Sequence, residues 1–125
     1  MVALDGNGDP LRPCLIWMDL RSAPQTEKVL ATGDKALRVN SNGQGPVSAE
    51  WMIPKSLSIK ENEPDLFEKA ETICEFQDYM NLHLTGIKCA SINNVSARWH
   101  YDRSQGGIPE TVSYTHLTLP TTPYV

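Results

Sequence analysis

The run Gly45-Pro46-Val47-Ser48-Ala49-Glu50-Trp51-Met52-Ile53-Pro54-Lys55 constrains this chain more than any other segment. It begins in Gly-Pro, which punctuates regular structure, and ends in a proline that fixes φ immediately before a lysine. Proline is tolerated in the first turn of a helix and disruptive in its interior. The run therefore predicts a loop giving way to a helix over about Glu50 to Lys60, broken or initiated at Pro54. Lys55 then lies in a first helical turn, where the helix dipole repels a cation. A locally disfavoured lysine points toward function, and an ammonium with three donors suits several hydroxyls at once. The plain alternative is a solvated lysine.

Around this run the pattern mixes strands and helices. Met1 to Asp5 reads as a strand, Gly6-Asn7-Gly8-Asp9 as a tight turn, and Cys14 to Met18 as a second strand completing a hairpin. Pro10 and Pro13 are confined to the edge or entry of that hairpin. Ser22 is a candidate N-cap for a helix through about Ala31, with Gly33 just past its end. Residues 34–48 read as a long loop. Asp65 to Lys69 reads as a short helix and Thr72 to Cys74 as a short buried strand. Phe76, Tyr79, Met80 and His83 recur at helical spacing, which predicts an amphipathic helix ending at Gly86. Ile87 to Val95 is expected to begin a further strand pair, and Trp99-His100-Tyr101 to form an aromatic patch.

With 125 residues, 40% apolar and 21% charged, the chain suits one modest core. Its net charge of -4 and scattered basic residues argue against a nucleic-acid partner. No apolar stretch approaches a bilayer span, and no secretory signal is visible, so neither a membrane nor export is expected. The three cysteines form no CxxC pair and read as small buried hydrophobes in a reducing, cytoplasmic setting. The histidines show no HxH or HExxH spacing, so no metal site is assigned.

Val112 to Val125 reads VSYTHLTLPTTPYV, without a single Asp, Glu, Lys or Arg. Its threonines and tyrosines favour a strand that its prolines would break. VSYTHLTLPT resembles the conceptual translation of a transposase-type sequencing-library adapter. The expectation is a non-native, disordered tail over 112–125, left out of fold reasoning.

Other residues offer chemistry on bare inspection. Trp17 could lay a flat face against a sugar ring, and Asp19 could accept hydroxyl protons at the end of the predicted strand. The plain readings are a core tryptophan and an Asp19–Arg21 contact. Glu50 beside Trp51 could join Lys55, or could serve only the helix dipole. Glu75 and Asp78 lie one turn apart and are expected to be solvated helix residues. Ser91, Asn93, Asn94 and Ser96 form a polar cluster that lines a cleft or makes turns. Gly6-Asn7-Gly8 and Gly43-Gln44-Gly45 are too short to cradle a phosphate by pattern alone.

Several pieces, in order and spacing, resemble one stretch of the N-terminal domain of FGGY-family carbohydrate kinases, most closely ribulokinase-like pentulose kinases. They are Val2-Ala3-Leu4-Asp5, Pro10-Leu11-Arg12-Pro13, Leu15-Ile16-Trp17-Met18-Asp19, Val47-Ser48-Ala49-Glu50-Trp51, Pro54-Lys55, Cys74-Glu75-Phe76-Gln77-Asp78-Tyr79 and Leu84-Thr85-Gly86. Ser91-Ile92-Asn93-Asn94 and Arg98-Trp99-His100-Tyr101 follow in turn. The resemblance covers residues 1–111, which it makes a fragment of that domain.

The resemblance implies an α/β fold, part of an actin-like, ribonuclease-H-like ATPase domain, in which ATP and sugar meet between two domains. It implies a pentulose, ribulose-like, as the small-molecule substrate, with ATP and Mg²⁺ as cofactors of the full-length enzyme. It points to Lys55 and Trp17 as sugar-binding residues, with Asp19 and Glu50 as further carry-overs. It places the catalytic aspartate and the nucleotide site outside this window, so no catalytic, cofactor-binding or metal residue is assigned and the fragment alone is expected to be inactive. A homo-oligomer stays open for the full-length enzyme. The competing reading is a non-catalytic carbohydrate-binding or scaffolding module.

Overall fold

Proline and glycine placement divides the chain into short elements, and a computed structural model describes them over residues 1–37 and 47–108. In order they are β1 (Val2–Leu4), α1 (Ala23–Ala31), α2 (Met52–Asn62), α3 (Pro64–Lys69), β2 (Thr72–Cys74), α4 (Phe76–Thr85) and α5 (Ile92–Arg98). Single turns of 3-10 helix occupy 35–37 and 103–105. The fold is mixed α and β, as expected. The Gly45-Pro46 start of the opening run and the tail 112–125 fall outside the described residues.

The two strands pair antiparallel, with Ala3 opposite Ile73. Both bury apolar side chains on the same core, so this short ladder can be stable only through the helices that cover it. Val29 of α1, Met52, Ile53, Leu57 and Ile59 of α2, Val95 of α5 and Trp99 complete that core. Helix α2 is the central element, packed against both α1 and α3. Pro54 is its third residue and is buried, which costs no hydrogen bond because first-turn amides lack helical partners. Helix α1 starts after Ser22 and α4 ends at Gly86, whose φ of 71° is the left-handed geometry that favours glycine.

Four expectations need correction. Cys14 to Met18 is not a strand: Leu11 and Leu15 donate to the Ala3 and Met1 carbonyls, but Pro10 and Pro13 lack the amides a continuous ladder needs. The chain follows β1 back and then leaves it as a loop. Ile92–Arg98 is a helix rather than a strand, because Val95 and Trp99, one turn apart, both bury into the core. Phe76 and Met80 of α4 face outward, at 52% and 40% exposure, so the apolar stripe is not the buried face. The face turned inward carries Asp78 instead. Cys14 and Cys89 are exposed rather than buried, and all three cysteines are free thiols. Cys74 alone is half-buried, and burial pushes its thiol up to about 12.

Candidate functional site

Lys55 is buried, with 1% of its surface exposed, contrary to the solvated alternative. A buried ammonium needs a partner, because an unpaired charge in low dielectric is costly. Its Nζ donates to the Ile16 carbonyl oxygen at 2.6 Å. Burial depresses the Lys55 pKa and the Arg98 guanidinium depresses it further, while Asp19, Glu75 and Glu50 oppose the shift. Lys55 is thus a cation whose charge burial disfavours, held by one backbone acceptor with carboxylates nearby.

The Ile16 carbonyl belongs to a loop, Ile16 to Leu20, whose side chains split two ways. Trp17 projects into solvent with 62% exposure, so it is no core residue. Asp19 turns back toward the protein. Its carboxylate is gripped by Arg21, with Nη2 to Oδ2 at 2.6 Å and Nε to Oδ1 at 3.0 Å. That pairing holds the Asp19 carboxyl down at about 2. An acid this strong is a poor proton acceptor for a sugar hydroxyl, yet a good hydrogen-bond acceptor.

Lys55 and Asp19 line one cleft of about 240 Å³. Its wall on α2 consists of Lys55, Ser58, Ile59 and Asn62, spaced so that one helix face supplies them all. Arg12, Leu15, Arg21, Ser22 and Glu63 close the remaining sides. Arg12 and Glu63 form an ion pair at 3.4 Å across one end. The cleft therefore offers hydroxyl, amide, ammonium and carboxylate groups against a few apolar carbons. That mixture fits a small polyol, which needs both donors and acceptors at close spacing.

Two of the sequence candidates, Lys55 and Asp19, line this cleft. Trp17 follows the carbonyl that Lys55 grips but is absent from the lining, and Glu50 is half-buried just ahead of the Trp51 cap of α2. The Glu50 carbonyl accepts from Arg98 Nη2 at 2.6 Å, and its carboxylate is close enough to Lys55 to favour the charged amine. Glu75 and Asp78 are buried rather than solvated, at 9% and 6% exposure. Glu75 pairs with Arg98 at 2.7 Å, and Asp78 accepts the Ser91 amide at 3.1 Å. Desolvation raises the Asp78 pKa against the pull of that amide.

The sequence reading missed Ser58, Asn62, Arg12 and Glu63. The signal was present for two of them: once Lys55 is placed on α2, Ser58 and Asn62 follow at three and seven residues along the same face. Arg12 and Glu63 are brought in by tertiary packing, which no local pattern reports. Among the described residues no three His, Cys, Asp or Glu side chains come together as metal ligands. Among them also no helix is long and apolar enough to cross a membrane.

Residues 1–111 match the sequence model of the FGGY family of carbohydrate kinases, N-terminal domain. A xylulose kinase of Bacillus subtilis is 35% identical over 91 residues, covering 70% of this chain and 17% of that protein. A xylulose kinase of Lactococcus lactis is 32% identical over 88 residues, covering 69% of this chain and 17% of its own length. The crystal structure of a xyloylose kinase from Brucella ovis superposes with a TM-score of 0.58 at 30% identity, over 68% of this chain and 17% of that one. The aligned part of this chain thus spans about a sixth of each of these relatives.

Proposed function

The chain belongs to the FGGY family of carbohydrate kinases, and on that premise we propose that it is the sugar-holding portion of a pentulose kinase. One observation carries the reading: Asp19 and the buried Lys55 line a single cleft with two residues of neutral polarity from the helix that carries Lys55, Ser58 and Asn62. In this role Lys55 donates to ketose oxygens while Asp19, kept ionised by Arg21, accepts from sugar hydroxyls. Trp17 follows the carbonyl that anchors Lys55 and stands outside the cleft lining, so its part in this reading is an exposed apolar face that a sugar meets from the solvent side. Glu50 steadies the Lys55 charge from the start of α2.

In kinases of this kind ATP with Mg²⁺ supplies the phosphoryl group. What these residues supply is binding and orientation, which bring the reacting hydroxyl into line and remove the entropy cost of finding it. Asp19 is committed to Arg21 by hydrogen bonds to both carboxylate oxygens, and its role in this reading is to hold the sugar rather than to take its proton. The base, the nucleotide site and Mg²⁺ ligands are assigned to parts of a longer protein, so these residues alone are inactive in phosphoryl transfer.

The substrate class is a ketopentose. Ser48, Glu50, Trp51, Pro54 and Lys55 follow the ribulokinase-like pattern, whereas the relatives above are named for xylulose. The two sugars differ in configuration at one carbon. The deciding experiment is an ADP-release assay on the full-length kinase carrying this segment, offered ribulose, xylulose, glycerol and a hexose. Turnover with a pentulose at least about tenfold above the others in kcat/KM supports the reading. Preference for glycerol or the hexose overturns it.

A further inference from the structure

Helix α2 is held at its start by contacts that the sugar-binding residues do not explain. Glu50, Trp51 and the first turn of α2 are preceded by Ser48-Ala49, whose backbone turns through the Trp51 amide to Ser48 carbonyl bond at 3.1 Å. Two consecutive carbonyls of this turn each accept a side-chain donor from a different part of the chain. Ser22 Oγ, at the start of α1, donates to the Ala49 carbonyl at 2.7 Å. Arg98 Nη2, at the end of α5, donates to the Glu50 carbonyl at 2.6 Å.

Arg98 does more than close this bond. Its Nε lies 2.7 Å from Glu75 Oε1, an ion pair whose side chains are 26% and 12% exposed. Glu75 is the residue immediately before α4. One guanidinium therefore joins the ends of α2, α4 and α5. Charge adds to geometry here: Arg98 repels the Lys55 ammonium, while Asp19, Glu75 and Glu50 attract it. The Lys55 side chain itself ends on the Ile16 carbonyl, 2.6 Å from Nζ.

We propose that Arg98 is a positioning residue for sugar binding: by fixing the Glu50 carbonyl against Glu75 it sets where α2 delivers Lys55 to the cleft. This deepens the pentulose reading and rests on it. Arg98 itself touches no substrate. Arg98 holds the segment by one hydrogen bond, Nη2 to the Glu50 carbonyl, while its Nε faces Glu75 Oε1 as an ion pair without hydrogen-bond geometry; a planar guanidinium spans both groups where a compact ammonium does not.

The test compares Arg98→Gln, Arg98→Lys and Lys55→Ala in the full-length kinase, well below every melting temperature, with KM for pentulose and for ATP measured separately. Arg98→Gln should raise the pentulose KM about tenfold and leave the ATP KM within about twofold. Arg98→Lys, which keeps the charge beside Glu75, should recover part of that loss. A merely structural arginine would lower the melting temperature and the active fraction without moving KM. If Lys55→Ala raises KM and Arg98→Gln does not, the positioning role is overturned while the cleft keeps its sugar. If neither moves KM, the cleft holds no sugar and the positioning role falls with it. Should Arg98→Gln fail to fold, Glu75→Gln removes the charge that faces Arg98 Nε: a pentulose KM raised about threefold supports the role, and an unchanged KM overturns it.

Discussion

Lys55 Nζ lies 2.6 Å from the carbonyl oxygen of Ile16, thirty-nine residues away in sequence. That single bond ties the first turn of α2 to the loop that displays Trp17 and Asp19. A lysine placed where the helix dipole disfavours it thus relieves its charge by reaching out of its own helix to another segment's backbone. The consequence is mechanical: the loop and the helix cannot shift independently while the bond stands.

Lys55→Met tests that link. Methionine keeps most of the buried stem and removes the ammonium, so the Ile16 carbonyl loses a charged donor. A bond of this type contributes about 1.5–3 kcal/mol, and relief of lysine desolvation offsets part of it. The expected outcome is a chain destabilised by about 1 kcal/mol in urea denaturation, with faster proteolysis in the Ile16–Leu20 loop. Unchanged proteolysis at that loop would show that something other than Lys55 holds it.

Trp17 and Trp99 should respond oppositely to truncation. Trp17 is 62% exposed and Trp99 is 7% exposed in the core. Trp17→Ala is expected to change stability by no more than about 0.5 kcal/mol, while raising the pentulose KM of the full-length kinase. Trp99→Ala is expected to cost about 3–5 kcal/mol. Paired denaturation curves check both, and a large loss from Trp17→Ala would place that indole in packing rather than in sugar contact.

Much of this molecule was legible in its sequence. The helix that carries Lys55, the Gly86 stop and the strand at Thr72 to Cys74 follow from local signals that act over a few residues, whereas Ser22 precedes α1 without capping it, its hydroxyl going to the Ala49 carbonyl instead. What failed was decided at longer range. The apolar stripe Phe76, Met80 has helical spacing, but spacing does not say which side of a helix meets the core. The Cys14–Met18 segment has strand composition, yet its ladder depends on amides that two prolines remove. In the cleft, Lys55 was readable from its unusual local setting, whereas the signal for Asp19 was the end of a strand that does not form. Arg98 was not readable, because its role exists only where three helix ends meet.

Gly86 ends α4 with φ 71°, and a Cβ added there would meet nothing within 4 Å beyond its chain neighbours, so conformation rather than space decides its substitution. Gly86→Ala should therefore cost about 1 kcal/mol from left-handed strain alone. Gly86→Asn, which tolerates this region better, should cost less. Thermal melts of the two variants rank them, and equal stabilities would mean the helix end relaxes out of the left-handed conformation.

His100 gives the sharpest dependence on pH. It is fully buried, lies edge-on to Trp51 at 4.7 Å, and adopts φ 58°. Burial lowers its pKa from 6.5 to about 4, against the weaker opposing influence of the Ala36 backbone and the Asp34 carboxylate. The folded form therefore holds the ring neutral where the unfolded chain would protonate it. Between about 6.5 and about 4 the unfolded state binds more protons, so stability rises with pH and falls on acidification through that window. The slope approaches about 1.4 kcal/mol per pH unit in the middle of the window, and it flattens above the unfolded value. His100→Asn keeps a side chain that accepts positive φ and removes the titration. Denaturation curves between pH 7.5 and 4.5 should converge for the two proteins as pH falls, with the wild type losing its advantage. Parallel curves for wild type and His100→Asn would show that the ring is not held neutral by the fold.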